Sequence, residues 1–221
     1  QGTSNRLNLL GNYENHYETM LRMFSNCSVV LENLEVTYAQ KHHSLAFLQS
    51  IEEVVGYVLI GMNDVAVVPL GNLRLIRGQS LYDGQFSLLV LSNYKRNPAS
   101  PSGYSGLRQL QLSNLSEIIR GAVKITHNFL LCNIETIQWG DIVDSSSEPS
   151  IVLEKNESRA CESCDPSCDN GSCWAAGPDH CQKITKLQCA EQCSRGCRGP
   201  KPSDCLDHPE HEHTGNTGPD P

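Results

Sequence analysis

The spacing of its cysteines constrains this chain more than any other feature of the sequence. Of eleven cysteines, nine lie within residues 161–205, whereas Cys27 and Cys132 stand alone in the long apolar region before them. Eight of the nine form two similar quartets, with steps of 4, 5 and 8 residues from Cys164 and of 4, 4 and 8 from Cys189. Such density indicates a disulfide-rich module of an extracellular protein, because reducing compartments keep thiols unpaired.

Spacing alone leaves two questions about this module open. Each quartet allows three connectivities, and the odd total leaves at least one thiol without a partner inside the chain. The Cys-x2-Cys step at Cys161 and Cys164 also suits zinc, although zinc ribbons pair two short steps rather than forming a ladder. Four N-x-S sequons, which are candidate glycosylation sites, favour the extracellular interpretation. They begin at Asn26, Asn114, Asn156 and Asn170.

Charge and apolar pattern exclude several classes of function. There are 17 lysines and arginines against 25 aspartates and glutamates, and a net charge of −8 does not suit nucleic acid or anionic membrane surfaces. The apolar runs are far shorter than the roughly 20 residues that cross a bilayer, so no membrane segment is predicted. No nucleophile elbow, zinc-protease motif or Gly-rich phosphate loop occurs in the sequence, so we expect neither an enzyme nor a cofactor.

Composition divides the chain into three parts. Residues 1–150 are rich in Leu, Ile and Val and are predicted to form one lobe, and the polar stretch 144–160 is predicted to be a loop or linker. Residues 151–205 contain the cysteine module. Residues 206–221 hold three histidines among Pro, Gly and acidic residues, and we expect a solvated, disordered tail without a bound metal.

Short apolar runs in the lobe follow a degenerate repeat that predicts stacked strands. Each run follows an Asn-Leu or Asn-Ile pair, whose Asn is expected to fill an interior corner and bond to backbone groups. The pairs begin at Asn33, Asn72, Asn114 and Asn133. Apolar residues at helical spacing predict a helix over residues 13–24 that caps the stack, and a second short helix is predicted over residues 44–54.

An apolar lobe followed by this cysteine ladder resembles the extracellular part of the epidermal growth factor receptor family. The similarity extends over residues 1–205, and the matching sequence segments are specific. They are GTSNRL (2–7), NCSVVLENLEVTY (26–38), FLQSIEEVVGYVLIGMN (47–63), LSNY (91–94), CNIETIQW (132–139), CDPSCDNGSCW (164–174) and CQKITKLQCAEQC (181–193). Insulin-receptor-type proteins share the architecture but not these sequence segments.

The resemblance implies a mainly β fold and a set of disulfides. The lobe would be a right-handed parallel β-helix, the receptor L domain, and a partial furin-like module would follow it. Trp174 would wedge into the last turns of the lobe, whereas its simpler interpretation is a local cover for a disulfide. The implied pairs are Cys132–Cys161, Cys164–Cys173, Cys168–Cys181, Cys189–Cys197 and Cys193–Cys205. Cys27 stays unpaired, because its partner in the family precedes the position of Gln1.

The resemblance also implies a partner and a binding face. The family binds small EGF-like growth factors between two leucine-rich lobes, so a chain with the first lobe alone would supply half of the site. The residues carried over to this face are Asn5, Leu7, Gly11, Tyr38, Met62, Asp83, Leu91, Ser92 and Lys124. The strand pattern alone predicts instead that Leu7 and Leu91 are buried in the core.

The resemblance stops at Leu206, where the family has a further cysteine. We therefore expect an extracellular receptor fragment that lacks the dimerisation arm, the second lobe, the membrane span and the kinase. Such a fragment is expected to be monomeric and not to signal alone. A secreted decoy and an incomplete clone are the alternatives.

Overall fold

A computed structural model describes residues 1–143, 151–154 and 161–186. Gln1–Lys183 form one unit and Ile184–Pro221 a second, of which only 184–186 are described. The predicted boundaries between lobe, cysteine module and tail stay predictions. The last four cysteines with their two implied pairs, the sequon at Asn156 and the histidine tail lie outside the described residues.

Helix α1 spans Tyr13–Phe24, as the spacing of its apolar residues predicts. Asn12 caps the first turn, because its Oδ1 accepts the backbone N–H three residues further on at 2.9 Å. The buried side chains are His16, Met20 and Phe24, which are four residues apart and therefore form one stripe. His16 is the polar member of this stripe, and the apolar pattern did not predict it.

The remainder of the lobe consists of short strands and single helical turns. The strands are β1 (Val29–Val30), β2 (Leu34–Thr37), β3 (Glu53–Val54), β4 (Val58–Gly61), β5 (Val67–Val68), β6 (Leu75–Ile76), β7 (Phe86–Leu91), β8 (Tyr94–Arg96), β9 (Tyr104–Gly106), β10 (Gln109–Leu110), β11 (Glu117–Ile118), β12 (Ala122–Thr126) and β13 (Ile151–Leu153). The 3₁₀ helices are Ala46–Ser50, Ile134–Thr136, Trp139–Asp141, Asp169–Gly171 and Pro178–His180.

Parallel pairing organises these strands into two main sheets. One has the order β1-β3-β6-β11 and the other the order β13-β12-β7-β4-β2, so successive passes of the chain add one strand to each. β5 and β10 also pair in parallel, whereas β8 and β9 form an antiparallel hairpin. The structure is therefore mainly β.

The core lies against the inner face of the five-stranded sheet. Val36, Ile60, Val90 and Ile125 are aligned across neighbouring strands, and each is at most 2% exposed. Alternate residues of a strand point to opposite faces. The strand residues just before and just after each of these four therefore lie on the outer face of the sheet. We call this surface the outer face.

Three local predictions were wrong. The helix predicted over 44–54 is only a 3₁₀ turn at Ala46–Ser50, because Glu53 and Val54 pair with β1 and β6 instead. Within the predicted linker, residues 151–153 (Ile-Val-Leu) form β13 and extend the sheet beside β12. The run after Asn133 forms 3₁₀ turns rather than a strand. In the first two cases tertiary pairing overrides the local pattern.

Asparagine side chains bond to the backbone as predicted, although two sets are present. The Nδ2 groups of the predicted set donate to main-chain carbonyls, but Asn72 is exposed and Asn114 half-buried. A second set, Asn63, Asn93 and Asn128, forms a buried ladder. Each of its Nδ2 groups donates to a carbonyl of the preceding strand in the sheet at 2.8–2.9 Å, and those of Asn63 and Asn93 also donate to the Oδ1 of the next asparagine.

Three disulfides and one tryptophan hold the first part of the cysteine module. The disulfides are Cys132–Cys161, Cys164–Cys173 and Cys168–Cys181, the pairs that the resemblance implies. Trp174 is 1% exposed within the main core, with its ring edge-on to Trp139 at 5.7 Å between centroids. Trp174 therefore wedges into the end of the lobe, and the zinc hypothesis is wrong for Cys161 and Cys164.

Candidate functional site

The outer face carries a small apolar cluster separate from the main core. Leu59 on β4 and Leu89 on β7 lie side by side in register and are buried together with Tyr57. Leu7 and Leu91 pack against them at partial burial. Apolar side chains on the outer face of a sheet need a cover, and here an irregular segment of the chain supplies part of it.

That cover is the N-terminal segment, which we define as residues 3–11. Thr3 forms an antiparallel bridge with Asn33, and the backbone N–H of Asn5 donates to Glu35 Oε1 at 2.7 Å. The side chain of Leu7 lies directly over Gly61, where any Cβ would come within 2.7 Å of Leu7 Cδ2. Glycine at position 61 therefore makes room for the segment.

Charged and phenolic groups fix the same segment from the side. Arg6 forms an ion pair with Asp83, and its guanidinium lies 4.5 Å from the centre of the Tyr82 ring. The pair raises the pKa of Arg6. Glu35 is 3% exposed, and its second oxygen accepts a hydrogen bond from Tyr57 Oη, whose pKa is raised by burial and by this carboxylate.

Four strands of the five-stranded sheet end in the same way, each in a turn that begins with a residue in the left-handed conformation. Tyr38, Met62, Ser92 and His127 directly follow β2, β4, β7 and β12, with φ between 53° and 60°. We call them the rung residues. The backbone N–H groups of the first three stay in the sheet, and that of Met62, for example, donates to Leu91 O at 3.1 Å, whereas that of His127 donates to the side chain of Glu154 at 2.6 Å. The asparagines of the buried ladder directly follow the last three rung residues in the sequence.

The structure brings most of the predicted site residues onto this surface. Tyr38, Met62 and Ser92 occupy neighbouring rungs, Leu7 and Leu91 lie in the small cluster, and Tyr38 Oη donates to Leu7 O at 2.6 Å. Leu7 and Leu91 are half-buried, so the core position expected from the strand pattern was wrong.

The remaining predicted residues lie at the margins. Asn5 is in the N-terminal segment, and Gly11 ends it in an exposed, left-handed conformation next to Asn15. Lys124 is in register with Leu89, and its Nζ lies 5.5 Å from the centre of the Phe86 ring. Asp83 is exposed but engaged by Arg6, so its carboxylate is not free in this structure.

Sequence reasoning missed several residues of the same surface. Tyr57, Leu59 and Leu89 form its buried floor, and His127 is the fourth rung. Alternation along GYVLIGM and FSLLVL could have identified the floor, because alternate residues of a strand face opposite sides. His127 precedes Asn128 as Met62 precedes Asn63 and Ser92 precedes Asn93, and this recurrence could have identified it as a rung.

One cluster among the described residues has metal-ligand chemistry. Donor atoms of Glu14, His42 and His43 lie within 4.8 Å of one another. His43 Nδ1 accepts the N–H of Gln40 at 2.9 Å, so its ring hydrogen sits on Nε2, 3.1 Å from the carboxylate. A metal would need that nitrogen bare, with the other one donating. The cluster is thus two histidines bonded to one carboxylate, whose pKa they lower.

The candidate modification positions differ in their surroundings. Asn26 and Asn170 are exposed, whereas the Nδ2 of Asn114, the atom that a glycan would modify, donates to Gly71 O. Cys27, the middle residue of the sequon at Asn26, is a free, half-buried thiol. All three sequons stay predictions.

None of the helices in the described ranges has the length and apolar character that a bilayer crossing requires.

Comparison with known proteins gives one family. The family model of the receptor L domain matches residues 26–143. The melanoma receptor tyrosine-protein kinase of Xiphophorus maculatus is 62% identical over 207 residues, covering 93% of this chain and 18% of the relative. The epidermal growth factor receptor of Gallus gallus is 50% identical over 206 residues, covering 93% and 29%. The receptor tyrosine-protein kinase erbB-2 of Rattus norvegicus is 39% identical over 238 residues, covering 97% and 19%.

These three relatives are much longer proteins, since the chain spans less than a third of each. The matched region begins after α1 and contains the strands β1 to β12. It therefore includes the paired strands of both main sheets up to residue 143. The chain belongs to the receptor L domain family, in the branch formed by the epidermal growth factor receptor and its relatives.

Proposed function

We propose that this chain is an extracellular, ligand-binding part of a receptor of the epidermal growth factor receptor type. Its outer face and N-terminal segment would supply half of a site for an EGF-like growth factor. In this proposal the stacked strands are a right-handed parallel β-helix and the cysteine module is furin-like. The chain acts by binding and not by catalysis.

A single observation carries the proposal: apolar rung side chains project beside a partly covered apolar cluster. Met62 is 40% exposed and Tyr13 43%, and the Tyr13 ring stacks on that of Tyr38 at 6.2 Å. Leu9 and Leu10, each 38% exposed, extend this surface along the N-terminal segment. Aromatic and Met side chains are typical anchors in the cores of protein interfaces, where charged groups are depleted.

A half-site binds weakly. Linking a second lobe raises the effective concentration of the second contact, and avidity gains of about 10²- to 10⁴-fold are usual. We therefore expect micromolar or weaker affinity for epidermal growth factor, with no signalling from the chain itself. The extracellular location follows from the same proposal and is compatible with the three disulfides.

Met62→Asp is expected to weaken the binding of epidermal growth factor about tenfold or more, because a carboxylate would be buried in an apolar interface. Asp tolerates the left-handed backbone at this position, so folding should be preserved. Surface plasmon resonance of the immobilised chain measures the effect. Ile119→Asp is the matched control, since Ile119 is 45% exposed but follows a strand of the other main sheet. Equal loss in both variants, or no detectable binding by the wild type at high micromolar ligand, contradicts the proposal.

Arg6→Ala is expected to tighten the same binding by up to about fivefold. In the free chain Arg6 occupies the carboxylate of Asp83, and a basic ligand residue must displace it, although an exposed ion pair of this kind contributes little. Asp83→Asn should weaken binding and remove the effect of Arg6→Ala in the double variant. Weaker binding by Arg6→Ala alone would show that Arg6 contacts the ligand directly.

A further inference from the structure

One buried histidine fastens the N-terminal segment to the lobe. His16, on the inner side of α1, is 4% exposed. Its Nδ1 accepts the backbone N–H of Leu10 at 3.0 Å, and its Nε2 lies 2.7 Å from Thr37 Oγ1 at the end of β2. One ring therefore joins the segment, the helix and the five-stranded sheet.

These two contacts define the protonation state of the ring. A backbone N–H can only donate, so Nδ1 must be bare and the ring hydrogen must sit on Nε2, directed at the hydroxyl of Thr37. A second proton on Nδ1 would face the N–H of Leu10. Since two donors cannot bond, protonation must break the bond between His16 and Leu10.

The space beside His16 offers the new proton one unused buried oxygen among the described residues, the hydroxyl of Thr3, which belongs to the N-terminal segment itself. The small space beside the ring is lined by Thr3, Asn5, Leu10, Thr19, Met20, Glu35 and Thr37, and its volume is about 10 Å³. Glu35 is the charged group among them, and its two oxygens already accept from Asn5 N–H and Tyr57 Oη. Tyr38 presents its ring edge-on to the imidazole at 5.5 Å.

We propose that protonation of His16 releases residues 9–11, one end of a strap formed by residues 3–11, from the lobe. The bond from Leu10 is the clasp, and its loss frees the end of the strap that carries Leu9, Leu10 and Gly11. The contacts of Thr3 and Asn5 hold the other end in place. The device is intrinsic to the chain and does not depend on the proposed growth-factor site.

The sign of the pH dependence follows from burial. Desolvation lowers the pKa of His16 below its usual 6.5, and a hydrogen bond to the backbone of Thr37 acts in the opposite direction. In the open strap the ring is solvated and regains its usual pKa. The closed form is therefore fully favoured above about pH 6.5, and it loses stability as the pH falls from there towards the lowered pKa.

Amide hydrogen exchange of the full chain, followed by NMR and corrected for intrinsic rates, tests the proposal. The protection factor of the Leu10 amide should fall below about pH 6.5, by at most tenfold per pH unit, with the midpoint at which the His16 ring resonances shift. In His16→Asn, the Oδ1 can accept from Leu10 without titrating, so protection should not change over the same range. His180→Asn, in the cysteine module and outside the candidate site, should behave as the wild type.

Two results would overturn the proposal. One is a Leu10 protection factor that stays constant in the wild type while the His16 ring titrates. The other is the same loss in His16→Asn as in the wild type. If His16→Asn does not fold, the coincidence of the two midpoints in the wild type decides, and separate midpoints reject the strap.

Discussion

Trp174→Ala is expected to lower the free energy of unfolding by about 3–5 kcal/mol, the range for removing a large aromatic side chain from a core. Trp174 lies in the cysteine module, yet it is 1% exposed among the residues of the main core. Its indole N–H has no hydrogen-bond partner among the described residues, so the loss measures packing alone. Urea unfolding of the oxidised chain, followed by circular dichroism, gives the value.

Two further variants make the result specific. Trp174→Phe keeps the edge contact with Trp139 in part and should lose less than the alanine variant. Tyr13→Ala removes an aromatic ring that is 43% exposed and should cost about 1 kcal/mol or less. If Trp174→Ala costs no more than Tyr13→Ala, the tryptophan does not join the module to the lobe.

Asn93→Ala is expected to cost about 3 kcal/mol or more, the second-largest effect. Asn93 is fully buried in the middle of the asparagine ladder. Its amide oxygen accepts from both the backbone N–H and the side chain of Asn63, and its Nδ2 donates to Ile60 O and to Asn128 Oδ1. Truncation leaves several buried polar groups unpaired, at about 1–3 kcal/mol each before relaxation.

Asn72→Ala is the matched control for the ladder. Asn72 also donates to a carbonyl, that of Gln49, but it is exposed, so water can replace its side chain. We expect a cost of at most about 1 kcal/mol in the same urea titration. Similar losses for both asparagines would mean that water enters the interior when Asn93 is removed, and that the ladder adds little.

The sequence predicted those elements whose pattern is local. The apolar spacing of α1 gave its bounds, and the apolar runs gave strands such as β2 and β4. The 44–54 region and β13 could not be predicted in the same way, because their conformation depends on partner strands distant in sequence. The three described disulfides agree with a family resemblance, whereas spacing alone left three connectivities open for each quartet.

The candidate site was harder to predict than the fold. Leu7 and Leu91 look like core residues in the sequence, but an irregular segment covers them only partly, and no periodicity describes such a cover. The rung residues are a Tyr, a Met, a Ser and a His, and their shared backbone conformation is set by the sheet and the ladder beneath. The bond from Leu10 to His16 depends on a polar residue within the buried face of α1, and an apolar pattern assigns such a residue to solvent.

At the rung positions the chemistry of the surface is set separately from the backbone that presents it. Four different side chains occupy equivalent places at the ends of four neighbouring strands, while the hydrogen bonds that hold the first three turns come from backbone groups and from buried asparagines. A substitution at Met62 or Ser92 therefore changes the chemistry of the surface without altering the frame that presents it, whereas Tyr38 also holds the N-terminal segment through Leu7 O. Such an arrangement lets a receptor lobe acquire a new binding preference one side chain at a time, with the same folded chain beneath.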